Sequence, residues 1–130
     1  MLPLKILVVD DSESERELTE SKRQRAGADV SCVATGLQAV QAAIRQPCDL
    51  ILMDLQMPGM DGYAATREIR AQRVNVPIVA LTGSSTAFDE RECRDSGCVG
   101  HLVKPVDAEG VSGVTEWVLS KGKPRVGAAR

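Results

Sequence analysis

Four short, unbroken apolar runs constrain this chain more than any other feature: Ile6-Leu7-Val8-Val9, Leu50-Ile51-Leu52-Met53, Ile78-Val79-Ala80-Leu81, and Leu102-Val103 after Val99. Each is too short for a helix, and none alternates polar with apolar residues. Strands buried on both faces of a parallel sheet read this way. A fifth segment, Val30-Ser31-Cys32-Val33, is more polar and suits a sheet edge. Helix-like stretches separate the runs. Ser12 and Glu15 form a capping box for the first, whose charges pass from Glu13, Glu15, Glu17 and Glu20 to Lys22, Arg23 and Arg25, along the helix dipole. Its apolar face is thin, with Leu18 and Ala26. In the second, Leu37, Val40 and Ile44 recur at i, i+3 and i+7, opened by Thr35-Gly36 and closed by Pro47. Tyr63, Thr66, Ile69 and Arg70 mark the third, with Asp61 placed to cap it after a Pro58-Gly59 turn. The fourth spans Thr86 to Ser96 and ends at Gly97. The fifth starts at Asp107 and carries Val111, Val114 and Val118 in register, weakened by Gly110 and Gly113.

Strands alternating with helices in this way form successive right-handed βαβ units. The expected fold is α/β, a five-stranded parallel sheet with helices on both faces. At 130 residues the chain makes one domain, with enough core to need no staples. The residues from Lys121 to Arg130 are basic and small, and are expected to fray.

Composition removes several function classes. A net charge of −2 leaves no electrostatic footprint for nucleic acid, and Tyr63, Phe88 and Trp117 are too few rings for a base-stacking platform. No apolar run approaches the roughly 20 residues of a membrane span. The segment Met1-Leu2-Pro3-Leu4-Lys5 has no charged leader or cleavage pattern, which points to the cytoplasm. Cys32, Cys48, Cys93 and Cys98 lack the paired spacing of a zinc site, and read as reduced packing residues.

In open parallel sheets the functional crevice lies beyond the carboxyl ends of the strands. Here the first run ends in Asp10-Asp11, the second in Asp54, the third in Thr82 and the fourth in Lys104-Pro105. Taken singly, each has a plain structural use: a helix cap, a turn residue, a loop start, a surface lysine. Taken together, they bring three carboxylates, a hydroxyl and an ammonium to one sheet edge. Three adjacent carboxylates stay ionised only with a cation between them. Oxygen donors alone select a hard ion, and magnesium fits, with coordination positions left for phosphate oxygens. A carboxylate beside such an ion can attack phosphorus to give an aspartyl-phosphate. Lys104 would neutralise phosphate charge, and Thr82 would donate a hydrogen bond to it.

These residues resemble a response-regulator receiver domain, the phosphoacceptor module of two-component signalling and phosphorelays. The resemblance rests on Ile6-Leu7-Val8-Val9-Asp10-Asp11, Met53-Asp54-Leu55-Gln56-Met57-Pro58-Gly59-Met60-Asp61-Gly62, Ala80-Leu81-Thr82 and Val103-Lys104-Pro105, and runs from about Lys5 to Val118. Ala65-Thr66 and Ile69-Arg70 are most similar to receivers of hybrid histidine kinases. The resemblance implies a flavodoxin-like (βα)5 fold with strand order 2-1-3-4-5, a receiver over residues 5–120 and a flexible tail over 121–130. It implies Asp54 as the phosphorylated residue. Asp11, Asp10 (through water), Asp54 and the Gln56 main-chain carbonyl would hold Mg2+. Lys104 would contact the phosphoryl group, Thr82 would swing toward it, and the Lys104-Pro105 bond would be cis. Gln56 and Ser84 occupy positions that tune the lifetime of the phosphate. The donor would be a histidine kinase or histidine phosphotransfer domain. A separate protein target would read the face of the fourth helix, fifth strand and fifth helix. Such a domain is no enzyme, beyond assisting its own phosphorylation and dephosphorylation. Met1 close before the first strand favours a stand-alone receiver over a receiver piece of a hybrid kinase.

The sequence departs from the family at three places. His101 stands where a Tyr or Phe switch residue is usual; it is either a switch whose inward position depends on its proton or a half-exposed histidine at a strand end. Val99-Gly100 replaces acidic residues, and Lys22-Arg23 fall where the first helix is usually apolar. Trp117 either serves an interface or lies over the last helix. Two rivals fit less well. A dehalogenase-type phosphohydrolase wants an Asp where Gln56 stands, and a flavin carrier wants a Ser/Thr/Gly-rich loop where Asp10-Asp11 would repel an anion. A degenerate receiver would lack one of the acidic residues or the lysine, and all are here.

Overall fold

The computed structural model describes residues 4–11, 29–57, 59–83, 90–104 and 108–121. Five strands, β1 (Lys5–Val9), β2 (Asp29–Val33), β3 (Leu50–Asp54), β4 (Ile78–Thr82) and β5 (Gly100–Val103), pair in parallel in the order β2-β1-β3-β4-β5. The described helices are α1 (Gly36–Arg45), α2 (Gly62–Ala71), α3 (Glu90–Ser96) and α4 (Ala108–Lys121). This is the flavodoxin-like order expected from the sequence. The first expected helix, the start of the fourth at Thr86, and Pro105 lie outside the described residues, as do Lys22, Arg23 and Ser84.

The absence of alternation in the apolar runs has its cause in the pleat. Successive side chains point to opposite faces, and both faces are covered. Leu7, Val9, Ile51, Met53, Ile78 and Ala80 pack beneath α1, α2 and α3. Ile6, Val8, Leu50, Leu52, Val79, Leu81 and Leu102 form the opposite core with Val114 of α4, and Trp117 packs partly buried against it. Every residue of β3 and β4 is buried, whereas the edge strand β2 has none fully buried. The polar edge strand is thus where its sequence put it.

Helix ends follow local chemistry. Thr35 and Gln38 make a reciprocal capping box on α1, and Asp61 accepts from Ala64 N–H at 2.8 Å to cap α2. The face of α1 differs from the expected one. The buried residues are Gly36, Ala39, Val40 and Ala43, and Leu37 and Ile44 are 58% and 52% exposed. Small residues win because they let the helix approach closely: a methyl group at Gly36 would stand 2.9 Å from the Met60 carbonyl oxygen. Leu37 and Ile44 are rotated to the rim, where single exposed apolar residues are ordinary.

This packing has a direct test in denaturant unfolding. Ile44→Ala is expected to change stability by no more than about 0.5 kcal/mol. Ile69→Ala, at a position with no exposure, should cost about 2–5 kcal/mol. Equal losses at the two positions would show that α1 buries its larger side chains.

Candidate functional site

The connections leaving neighbouring strands diverge, from β1 outward to β2 and from β3 the other way to β4, so a crevice opens above the carboxyl ends of β1 and β3. Strand register sets what meets there. Val9 pairs with Met53, so Asp10 and Asp54 follow side by side. Asp54 pairs with Leu81, and Thr82 with Val103, so Thr82 and Lys104 complete the row. The Lys104 N–H donates to the Thr82 carbonyl at 2.7 Å, carrying the β4–β5 ladder one step past the strand.

The carboxylates of Asp10, Asp11 and Asp54 each bring an oxygen to within 4.8 Å of the others. Asp10 and Asp54 are 3% and 2% exposed, and Asp11 is exposed. The Lys104 Nζ stands 3.0 Å from Asp54 Oδ2 and 3.7 Å from Asp10 Oδ2. Asp54 Oδ1 accepts from the Gln56 N–H at 3.1 Å. Burial raises the Asp54 carboxyl above its ordinary value, against the Gln56 N–H and the Lys104 ammonium, which lower it; Asp11 adds to the rise. The anion at position 54 is therefore held under-compensated. Two buried carboxylates, one exposed one and a single ammonium make a donor set short of positive charge, and hard oxygen ligands in that state suit a divalent cation such as magnesium.

The loop after β3 is shaped to keep this corner tight. Leu55 N–H continues the ladder to the Leu81 carbonyl at 3.1 Å, and Gly62 N–H returns to the Leu55 carbonyl at 3.2 Å. A methyl group on Gly62 would collide with the backbone of Asp54, so only glycine lets α2 begin there. Gln56 is exposed beside the carboxylates. Thr82 is buried at the end of β4. His101, on β5, lies half-buried with its Nδ1 inside, and burial lowers its pKa below the ordinary 6.5 against a weaker opposing pull from Glu90. All the residues singled out at the strand ends within the described segments thus surround one corner, with His101 on the neighbouring strand.

One grouping was not legible from spacing alone. Cys93 and Cys98, buried and five residues apart, come together at the end of α3, where the Cys98 N–H donates to the Cys93 carbonyl at 2.9 Å. The signal was Gly97, whose φ of +108° ends the helix and folds the chain back.

Comparison with known proteins agrees with this geometry. The family model of the response regulator receiver domain matches residues 6–114. The sensor protein GacS of Pseudomonas syringae pv. syringae is 40% identical over 107 residues, which cover 78% of this chain and 12% of that protein. The chain thus spans a small part of the curated relative it matches. Among solved structures, the receiver domain of sensor histidine kinase PA1611 from Pseudomonas aeruginosa PAO1, with a magnesium ion coordinated in its active site cleft, is 39% identical. The match has a TM-score of 0.80 and covers 88% of this chain and 95% of that one. The receiver domain of the Saccharomyces cerevisiae response regulator Ssk1, crystallised with the histidine phosphotransfer protein Ypd1, is 30% identical at a TM-score of 0.80, covering 88% of each chain.

Two outcomes follow from the electrostatics. In calorimetric unfolding, Mg2+ at a hundredfold excess over its Kd should stabilise the fold by about 2.7 kcal/mol. Asp54→Asn should raise the melting temperature of the metal-free protein and shrink the magnesium effect; a metal-free variant less stable than the parent would contradict the crowding of charge. For His101, a lowered native pKa means the folded state binds fewer protons than the unfolded one. Stability is then full above the unfolded value of about 6.5 and declines as pH falls below it. His101→Phe should remove that part of the acid-side decline, and identical pH–stability curves for the two proteins would refute it.

Proposed function

The chain belongs to the response regulator receiver family, and from that membership we propose that it takes a phosphoryl group from a phosphohistidine onto Asp54. The observation that carries this reading is the meeting of three carboxylates with Lys104 Nζ, 3.0 Å from Asp54, at the carboxyl edge of the sheet. In the transfer an Asp54 carboxylate oxygen attacks phosphorus while the bond from phosphorus to the donor imidazole nitrogen breaks. Asp10, Asp11, Asp54 and the Gln56 main-chain carbonyl would hold Mg2+, which when bound supplies charge neutralisation for the phosphate oxygens. Lys104 exchanges its ion pair with Asp54 for a contact to the phosphoryl group. Thr82 turns to donate a hydrogen bond to the same group, and His101 follows as the switch residue. The Lys104-Pro105 bond is read as cis. A groove of about 340 Å³ lined by Lys5, Asp29, Ser31, Gln46 and Cys48 lies at the other end of the sheet.

The phosphodonor is a histidine kinase or a histidine phosphotransfer domain, a pairing supported by the Ypd1 complex of the similar Ssk1 receiver. The output is binding of a separate protein on the face of α3, β5 and α4. The receiver unit covers residues 5–120, with 121–130 as a flexible tail, and acts in the cytoplasm as a stand-alone receiver or part of a hybrid kinase. No helix of the described residues is long and apolar enough to cross a membrane. The domain is a signalling element and no enzyme, beyond assisting the gain and loss of its own phosphate.

With acetyl phosphate and magnesium, the chain is expected to gain one hydroxylamine-labile phosphoryl group, seen by intact mass. Asp54→Asn should abolish it, and Lys104→Ala should slow it by about 10²-fold. Equal labelling of the Asp54 variant would reject the assignment.

A further inference from the structure

The end of α3 carries a chemical arrangement that phosphate transfer does not use. Gly97 N–H donates to the Arg94 carbonyl at 3.1 Å, and Cys98 N–H donates to the Cys93 carbonyl at 2.9 Å. These are the paired hydrogen bonds of a Schellman turn, completed by the left-handed Gly97. The turn sets Cys93 and Cys98 at the two positions whose side chains meet in this motif. An apolar contact normally fills this place, and any two aliphatic residues would serve. Here the surroundings of one sulfur are polar. Thr66 Oγ1, whose hydroxyl donates to the Gly62 carbonyl at 2.7 Å, lies 3.7 Å from Cys98 Sγ, and Ser96 Oγ, whose hydroxyl donates to the Cys93 carbonyl at 2.8 Å, lies 3.6 Å from the same sulfur. Arg70 sits close, its Nη2 donating to the Gly97 carbonyl at 3.0 Å.

We propose that Cys93 and Cys98 form a thiol–disulfide pair, closed by hydrogen peroxide or another small two-electron oxidant. The roles are unequal. The Cys93 thiol and the nearby Arg70 guanidinium favour the Cys98 thiolate against the opposing effect of burial and bring its pKa down to about 7, whereas the Cys93 thiol is pushed up by the partner sulfur and by burial. Cys98 is therefore the nucleophile and Cys93 the resolving thiol. The Cys98 thiolate attacks one peroxide oxygen, the O–O bond breaks, hydroxide leaves, and a sulfenic acid forms. The Cys93 sulfur then attacks that sulfur and loses its proton, the S–S bond forms, and the S–O bond breaks with release of water. The hydroxide takes up the proton first lost by Cys98. In sum two thiols and one peroxide give one disulfide and two waters, and the sulfurs lose the two electrons that the peroxide gains. With Cys98 only 3% exposed and Cys93 not at all, a small oxidant is required. The bond also withdraws Cys93 from the Gly100 carbonyl, 3.9 Å from its sulfur and one residue before His101.

The test uses the reduced full chain, limiting hydrogen peroxide, alkylation under denaturing conditions and tryptic mass spectrometry. Cleavage after Arg94 separates the two cysteines, so the disulfide appears as a linked peptide pair, lighter by two hydrogens and split by reductant. The expected result is this pair as the main product, with Cys32 and Cys48 still alkylated. Its rate of formation should fall about tenfold from pH 8 to pH 6, where a thiol of ordinary pKa near 8.5 would fall by about 75-fold. Cys93→Ser should accumulate a sulfenic acid on Cys98 that dimedone traps, and Cys98→Ser should leave Cys93 unreactive. Full alkylation of both residues after peroxide, or oxidation of Cys32 or Cys48 ahead of them, would overturn the proposal. The decisive measurement is made on the unmutated chain, so a poorly folding variant does not obscure it.

Discussion

The mutual repulsion of three carboxylates at one sheet edge is the constraint on which the rest of this structure depends. Left to themselves, Asp10, Asp11 and Asp54 would move apart or take up protons. They are kept together because two of them, Asp10 and Asp54, are fixed by backbone that has no freedom to retreat. Asp10 and Asp54 are continuations of β1 and β3, whose register is pinned by apolar residues on both faces. Lys104 offsets part of the charge, and what it leaves uncompensated is the capacity to accept a cation and, with it, a phosphoryl group.

The burial of β3 and β4 therefore belongs to the chemistry. A strand held on one face could twist to relieve the repulsion, whereas one covered on both sides transmits it to its ends. Gly62 acts in the same sense. By letting α2 start against the Asp54 backbone, it removes the space into which the β3 end would otherwise relax. The Leu55 and Lys104 amides, each adding a rung to the ladder beyond the strands, close the remaining sides.

Most of this was readable from the residues. Unbroken runs of Val, Ile and Leu announced a doubly covered parallel sheet, and the polar residues immediately after them named the site, because sheet register turns sequence position into spatial position. The expectation failed where side-chain size and helix phase compete. In α1 the periodicity of Leu37, Val40 and Ile44 suggested one face, yet of these only Val40 packs, together with Gly36, Ala39 and Ala43. Hydropathy ranks the larger residues first, while the approach distance set by Met60 favours the smaller. The meeting of Cys93 with Cys98 was hidden for another reason. A spacing of five lies on no shared helix face, and only the left-handed glycine between them reverses the chain.

The same register fixes what stands between Asp54 and the outer strand. Ala80 pairs with His101 and Thr82 with Val103, so Thr82 and His101 stand on one face of adjacent strands, two residues apart along them. Ala80, fully buried, is the residue directly beside His101 on that face. An imidazole whose Nδ1 is already inside has less apolar surface to bury than a phenyl ring and one more polar group to desolvate. Protonation of that ring would add a charge to desolvate, which its burial opposes. The imidazole is therefore pushed toward its neutral form by the same packing that places it one diagonal from Thr82.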